Sequence, residues 1–157
     1  MPAEQGCWLG LGDVAGHGVP AGLVMLMLQS IVSVLCRTRP GARPSELLPT
    51  LNSILFENVR DRLGQDEYAT LTLFRYEGSG CVTFAGAHED ILLWRRAAER
   101  TEWVHTPGTW VGAARQIQAA TVDSTLELAV GDVMVLYTDG VVEASPAWSS
   151  PMMVRRM

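Results

Sequence analysis

The 157-residue sequence predicts one domain of the α+β class, with helices and strands in separate layers. Three observations predict it. The chain is 48% hydrophobic, which is typical of a packed globule rather than of a disordered segment. Apolar residues recur at helical spacing up to about residue 60, whereas later segments are β-rich and separated by glycine-containing turns. A chain of this length has room for a single core.

The first predicted elements are a short buried strand over 7–11 and a long apolar helix over 19–36. Gly12-Asp13 ends the strand, and Pro20 stands in the first turn of the helix, where proline is tolerated. The helix nearly has the length of a membrane span, but polar and glycine residues interrupt it and no aromatic or strongly charged residue flanks its start. We therefore expect a core helix, packed between a sheet and a second helix.

A second helix follows a loop that contains prolines and glycine. Ser45 is predicted to be its N-cap, and Glu46 lies in the first turn, where a carboxylate complements the helix dipole. The predicted buried face consists of apolar residues at helical spacing: Leu47, Leu51, Ile54, Leu55 and Val59. The polar residues placed away from that face are Asn52, Glu57, Asp61 and Arg62.

The remainder of the chain predicts a run of antiparallel strands. Glu77-Gly78-Ser79-Gly80 is a hairpin signal between two β-rich runs, and the polar turn 97–100 separates a second pair. Gly131-Asp132 is the turn before the last run. The predicted strands are 68–76, 81–87, 91–95, 102–105, 121–128 and 133–137.

Charge and cysteine content exclude several classes of ligand. The net charge of −5 is spread along the chain without a basic face, which argues against nucleic-acid binding. Cys7, Cys36 and Cys81 are odd in number and lack CxxC spacing, so we expect buried thiols rather than disulfides or a zinc site. No secretory signal is visible at the amino terminus. We expect a cytoplasmic protein that binds neither nucleic acid nor a membrane.

Two aspartates end buried strands. Asp13 lies in GDVAGHG, and Asp139 lies in LYTDG, where glycine follows it. Carboxylates at strand ends can converge with backbone oxygens on a hard cation such as Mg²⁺ or Mn²⁺, and no Cys/His set competes for zinc. The alternative is that each aspartate caps the helix after its strand. The spacing alone leaves both interpretations open.

The same segments resemble the signatures of a known family. Residues 12–28, GDVAGHGVPAGLVMLML, resemble the GDxxGHGxxAA…M signature of the SpoIIE/RsbU-like branch of the PPM superfamily of metal-dependent protein serine/threonine phosphatases. Residues 131–144, GDVMVLYTDGVVEA, resemble its GD…LYTDGVxEA element. Residues 68–71 are similar to its aromatic-led strand, and residues 108–112 to its glycine-rich loop. Two long motifs in the right order make the resemblance specific.

The resemblance implies a layered β-sandwich flanked by helices and a metal site with two Mn²⁺ or Mg²⁺ ions. Asp13 would bridge the metals, the backbone carbonyl of Val14 would be a further ligand, and Asp139 would bind from the opposite side. Asp13 and Asp139 are thereby implied to be catalytic. The implied reaction is hydrolysis of phosphoserine or phosphothreonine by a metal-activated water. The implied substrate is a phosphorylated bacterial regulatory protein of the anti-sigma-factor antagonist type.

Two histidines lie within or near these motifs. His17 is expected to shape the loop after Asp13 rather than to act as a general acid, because its offset from Asp13 differs from that in the eukaryotic DGHGG motif. His88 lies in the sequence Ala-Gly-Ala-His, where the family usually shows Asn-Ala-Gly-His.

The resemblance also implies that part of the family's domain is missing. An upstream GGDxxD element and a downstream Asp-Asp segment have no counterpart, so we expect an incomplete domain over 1–144 and an irregular tail over 145–157. Fewer acidic ligands predict weak metal binding. The alternative function is therefore a catalytically weak or inactive binding or regulatory module. Strands without partners would expose sheet edges, which predicts a possible homodimer through those edges.

Overall fold

The computed structural model describes residues 6–144, which form two antiparallel sheets and two long helices. The helices are α1 (Gly18–Thr38), α2 (Pro44–Phe56) and the short α3 (Asp139–Val142), with a π-helical segment (Glu57–Arg62) after α2 and a 3-10 turn at Gln118–Ala120. The strands are β1 (Cys7–Val14), β2 (Ala69–Tyr76), β3 (Cys81–Ala87), β4 (Ile91–Arg95), β5 (Arg100–Val104), β6 (Ser124–Glu127) and β7 (Val133–Val135). The hydrogen-bonded order is β1-β2-β3-β6 in one sheet and β5-β4-β7 in the other.

Strand β2 divides the interior into two cores. Leu71 and Leu73 pack in the cluster that includes the helices, whereas Phe74 packs in the cluster that includes the second sheet. The rings of Phe74 and Phe84 are stacked there, with centroids 5.8 Å apart. Successive side chains of a strand point to opposite faces, so β2 can supply both cores. The layers are helices, first sheet and second sheet, which confirms the predicted α+β sandwich.

Helix α1 is much more exposed than its composition predicts. Its buried residues are Ala21, Val24 and Leu28, on the side that contacts β1 and α2. On the other side Leu26 is 62% exposed and Val34 is 60% exposed. The predicted neighbours, a sheet and a second helix, are present, but the predicted burial on nearly all sides is wrong, because both lie on one side of α1 and no described element covers the outer face. Within residues 6–144, α1 is the one helix whose length and composition would allow it to cross a membrane.

Helix α2 begins before the predicted cap. Arg43 is the N-cap, and Pro44 occupies the first helical position, where its missing N–H costs nothing. The backbone N–H of Arg43 donates to the Glu46 carboxylate at 3.1 Å. Ser45 instead donates its backbone N–H and its hydroxyl to the carboxylate of Asp123, at 2.9 and 2.6 Å. The predicted Ser45 cap is therefore wrong, and this serine ties α2 to the segment before β6.

The buried face of α2 is shifted from the predicted one. Ile54 is 39% exposed, whereas Leu48 is buried. At about 100° per residue, Ile54 projects roughly 90° from the centre of the buried face. The buried residues of this face are Leu47, Leu48, Leu51, Asn52, Leu55 and Val59.

The strand pairs are confirmed, with different bounds. Strand β5 begins at Arg100, inside the predicted turn, and β6 and β7 are shorter than the predicted runs 121–128 and 133–137. Among residues 6–144, β1 and β6 lie at the edges of the first sheet, and β5 and β7 at those of the second. The three cysteines are free but half-buried, not fully buried as predicted. The predicted tail 145–157 lies outside the described residues.

Arg95 connects the two sheets through a set of charge-assisted hydrogen bonds. Its guanidinium donates to Glu102 on β5 at 3.0 Å, to the carbonyl oxygen of Glu127 on β6 at 2.6 Å and to Asp132 at 2.9 Å. The hydrogen bond from Arg95, followed by two from backbone N–H groups, holds the pKa of Asp132 below its usual value. Asp132 belongs to the Gly-Asp turn before β7. This aspartate of the motif therefore stabilises the fold by accepting hydrogen bonds.

Asp132→Asn is expected to lower the melting temperature most at neutral pH. Because the folded-state pKa of Asp132 is depressed, its ionised form stabilises the fold above the ordinary carboxyl range, and this stabilisation is lost as the pH falls through the depressed pKa. Thermal melts from neutral pH down to about pH 3 measure the difference. Glu99→Gln, at an exposed carboxylate on the β4–β5 turn, is the control. If Asp132→Asn lowered the melting temperature equally at both ends of the pH range, the stabilising role of the ionised Asp132 would be contradicted.

Candidate functional site

The end of β1 and the start of α3 border one cavity of about 400 Å³. Asp13 and Val14 are the last two residues of β1, and Asp139 is the first residue of α3. All three line the cavity, although 125 positions of sequence separate Val14 from Asp139. The structure therefore brings together the residues that the two motifs singled out. Their role as metal ligands stays a prediction.

Neither aspartate caps a helix within the described part of the chain. The N-caps of α1 and α3 are His17 and Thr138, and neither makes a side-chain cap hydrogen bond. The capping interpretation of Asp13 and Asp139 is therefore wrong. His17 is exposed and does not line the cavity, and the glycines on either side of it have positive φ, which agrees with a loop-shaping segment.

Asp13 is held by hydrogen bonds of its own segment and of β2. The register of the first sheet places Asp13 opposite Thr70. The Asp13 backbone N–H donates to Thr70 Oγ1 at 3.1 Å, and the Val14 N–H donates to Asp13 Oδ1 at 2.9 Å. The first bond fixes the backbone and the second orients the carboxylate. Thr70 was not predicted as a site residue, and only the strand register reveals it.

His88 supports Thr70 from the turn after β3. Its Nδ1 lies 2.8 Å from Thr70 Oγ1. Its backbone N–H donates to Thr106 Oγ1 at 3.1 Å, and its carbonyl oxygen accepts from the same hydroxyl at 2.7 Å. These bonds fix the turn that carries His88 and Glu89, both of which line the cavity. The chain thus holds this turn although it lacks the family's usual Asn-Ala-Gly-His sequence.

Two stacked aromatic rings form another wall of the cavity. The rings of Tyr68 and Trp110 have centroids 5.0 Å apart and are inclined by 11°. Reciprocal backbone hydrogen bonds between Ala69 and Val111, both 2.9 Å, hold the neighbouring backbone segments together. The two preceding residues are therefore close enough for their rings to stack. Both aromatic residues line the cavity, and neither was predicted as a site residue. The available signal was a tryptophan inside the predicted glycine-rich loop.

Asn52 anchors the loop that carries Trp110. It was placed on the polar side of α2, but it is 1% exposed. Its Oδ1 accepts from the backbone N–H of Gly112 at 2.8 Å. Its Nδ2 donates to the carbonyl oxygens of Ala114 and Arg115, at 2.9 and 3.2 Å. A buried amide with satisfied donors and acceptors fixes a loop that otherwise lacks regular structure.

Close backbone contact brings the same loop against β3. Gly86 has φ +105°, and a Cβ on Gly108 would lie 2.8 Å from the Gly86 carbonyl carbon. That distance is shorter than real Cβ atoms show. Because Gly108 has no side chain, the loop can approach the end of β3 and so border the cavity.

The cavity is acidic. Asp13, Glu89 and Asp139 line it, and no lysine or arginine is among its described lining residues. Burial, and then the nearby Glu89 and Asp90 carboxylates, raise the pKa of Tyr137, two residues before Asp139. Mg²⁺ is commonly bound through one or two carboxylates while it keeps several waters. Asp13 and Asp139 fit a hydrated cation of this kind, whereas residues 6–144 contain no cluster of three or more His, Cys, Asp or Glu suited to a closed site.

Comparison with known proteins gives one family. The family model described as Stage II sporulation protein E (SpoIIE) matches residues 3–155. Over 137 residues the chain is 28% identical to the phosphoserine phosphatase RsbU of Bacillus subtilis (strain 168). That alignment covers 86% of the chain and 38% of RsbU, so the chain spans less than half of this relative.

Solved structures share the fold, among them the following two. The RsbU and RsbW domains of Rv1364c from Mycobacterium tuberculosis match with a TM-score of 0.68 and 25% identity, over 87% of this chain and 36% of that one. The catalytic domain of the serine threonine protein phosphatase PstP, solved in complex with two manganese ions, matches with a TM-score of 0.61 and 16% identity, over 85% of this chain and 67% of that one. At 16% identity, the second likeness shows a shared fold.

Proposed function

Since the chain belongs to the SpoIIE family, we propose that it is a phosphatase domain that hydrolyses phosphoserine or phosphothreonine in a protein substrate. One observation carries the proposal: Asp13 and Asp139, from two distant motifs, line a single cavity. The matched relatives named as phosphatases, RsbU and PstP, support the reaction class.

The proposed cofactor is Mn²⁺ or Mg²⁺, held by the carboxylates of Asp13 and Asp139 and by the backbone carbonyl of Val14. The manganese complex of PstP supports this choice of cation. When bound, a divalent cation would neutralise charge on the phosphoryl oxygens and lower the pKa of a water. The lining residues favour a cation, because a phosphate dianion would otherwise face three carboxylates with no lysine or arginine among the described lining residues.

The chain's own residues contribute orientation. The Val14 N–H holds the Asp13 carboxylate in one direction, and Thr70 fixes the Asp13 backbone through the β1–β2 register. His88 in turn holds Thr70. Such bonds keep a ligand in its productive geometry before substrate arrives, which lowers the cost of assembling the site.

Hydrolysis of a phosphoserine peptide tests the proposal. We expect release of inorganic phosphate that rises with Mn²⁺ concentration and stops when EDTA is added. A peptide that carries unphosphorylated serine is the blank. Peptide binding without any phosphate release, at Mn²⁺ concentrations that saturate the protein, would contradict catalysis.

A second candidate is a weak or inactive binding module of the same fold. The observation that favours it is the small donor set: in residues 6–144 no group of three or more acidic, histidine or cysteine side chains could hold a metal. Affinity for a hard cation depends on the number and charge of its ligands. Calorimetric titration with Mn²⁺ and the phosphate-release assay together separate the candidates. A binding module of this kind would bind Mn²⁺ weakly in the titration and release no phosphate in the assay.

The substrate we infer is a phosphorylated regulatory protein of the anti-sigma-factor antagonist type. The name of RsbU and the presence of an RsbW domain beside the RsbU domain of Rv1364c support a regulatory protein partner. A cytoplasmic location stays a prediction. So does a homodimer through the sheet edges, for which β1, β5, β6 and β7 are the available strands.

A further inference from the structure

The Tyr68–Trp110 stack has an open side next to the acidic cavity. Trp110 is 48% exposed although one face of its indole lies against Tyr68. A surface tryptophan usually has its ring against a neighbour or in a binding site, because its large apolar area is costly to leave in water. The Ala69–Val111 hydrogen bonds hold the backbone next to Trp110, and the Tyr68 ring supports one face of the indole.

The charged residues near the stack favour a cationic ligand. The cavity that Trp110 lines also contains Asp13, Glu89 and Asp139, and it has no described lysine or arginine. A cation over the face of a tryptophan is attracted by the ring quadrupole, and Glu89, a lining carboxylate outside the proposed metal ligands, adds to that attraction. An acidic group would be repelled there, and an aliphatic group would gain only from the burial of apolar area.

We propose that Trp110, supported by Tyr68, forms a subsite that binds an arginine or lysine next to the phosphorylated residue of the substrate. This inference rests on the proposed function and adds a substrate preference to it. The cationic side chain lies over the indole while the phosphorylated side chain enters the acidic cavity.

The test uses three phosphoserine peptides that differ only in the two residues flanking the phosphoserine: arginine, leucine or glutamate. Affinity is measured by fluorescence polarisation of labelled peptide in Mn²⁺, and turnover by phosphate release. We expect the arginine peptide to bind most tightly. Trp110→Ala should weaken its binding roughly 5- to 10-fold and change binding of the leucine peptide little, as for a partly exposed cation–π contact.

Two further variants separate recognition from a structural effect. Trp110→Phe keeps an aromatic face and should recover part of the preference for arginine. Trp103→Ala removes a comparably exposed tryptophan from β5, outside the cavity, and should leave all affinities unchanged. Equal losses for the three peptides in Trp110→Ala, or tightest binding of the leucine peptide by the unmodified chain, would overturn the inference.

The peptide affinities test the subsite, and phosphate release tests the proposed catalysis, so that failure of one can be told from failure of the other. A preference for arginine that depends on Trp110, without phosphate release, supports the subsite and contradicts the proposed catalysis. Phosphate release with equal affinity for the three peptides contradicts the subsite and supports catalysis. Failure of every peptide to bind in saturating Mn²⁺ would overturn the subsite.

Discussion

Asp13→Asn is expected to reduce Mn²⁺-dependent hydrolysis of a phosphoserine peptide by more than about 100-fold. Changes to partners outside a metal's ligand set typically cost about 10- to 100-fold in metal affinity or activity, so loss of a charged ligand should cost more. Asparagine keeps the Oδ1 acceptor for the Val14 N–H, which lies at 2.9 Å, and therefore preserves the local backbone. The substitution removes the charge and leaves the end of β1 in place.

Asp61→Asn is the matched control for this result. Asp61 lies in the π-helical segment, outside the cavity, and its side chain is 50% exposed. Its contact with Arg115, at 3.4 Å, is a surface ion pair that contributes little. Calorimetry with Mn²⁺ provides a second measurement, in which Asp13→Asn should bind the ion more weakly than Asp61→Asn. Equal kcat/KM values for the two variants would remove Asp13 from the catalytic site.

Asn52→Ala is expected to lower the free energy of unfolding by about 3 kcal/mol, because three hydrogen bonds that each contribute roughly 1 kcal/mol are lost. The side chain is 1% exposed, so the Gly112 N–H and the Ala114 and Arg115 carbonyls lose a partner that water cannot easily replace. Urea unfolding followed by circular dichroism measures the change.

Asn58→Ala, in the next turns of the same helical region, is the control. Asn58 accepts a hydrogen bond from the exposed Arg62 side chain at 2.9 Å, and its loss should cost only about 0.5 kcal/mol. A similar cost for both variants would show that the buried amide is not what anchors the Trp110 loop. Peptide affinity of Asn52→Ala should also fall, since Trp110 depends on that loop.

Local signals in the sequence account for most of the secondary structure. The hairpin between β2 and β3 was predicted at its observed place, because glycines punctuate two strongly β-rich runs. The cap of α2 was misplaced, because Pro44 can itself begin a helix and the partner of Ser45 is Asp123, 78 positions away. A local pattern contains no information about such a distant partner.

Tertiary packing explains the larger differences between the predicted and the observed burial. The apolar composition of α1 predicted burial on nearly all sides, yet composition does not specify which neighbours are present. Asn52 was assigned to a polar face by residue type, although its hydrogen bonds to a distant loop offset the cost of burial.

The site was predictable only in part. Spacing alone left Asp13 and Asp139 as either ligands or caps, and the family motifs favoured the first interpretation. Thr70 and Trp110 lie within the two shorter motifs, but their place at the cavity required the strand register and the Ala69–Val111 bridge. Resemblance thus identifies the family's chemistry, whereas features that depend on this chain's own packing need coordinates.

The pairing of β1 with β2 has a consequence for the time at which the cavity forms. Asp13 and Thr70 are 57 positions apart, with both long helices between them. Helices form from local contacts in microseconds or less, whereas non-local strand pairing is a slow step of folding. Asp139 lies farther along the chain again and leaves the ribosome after both. During synthesis the chain therefore acquires helical structure well before it acquires the cavity, and a partly folded chain would be helical and lack the cavity that Asp13 and Asp139 border.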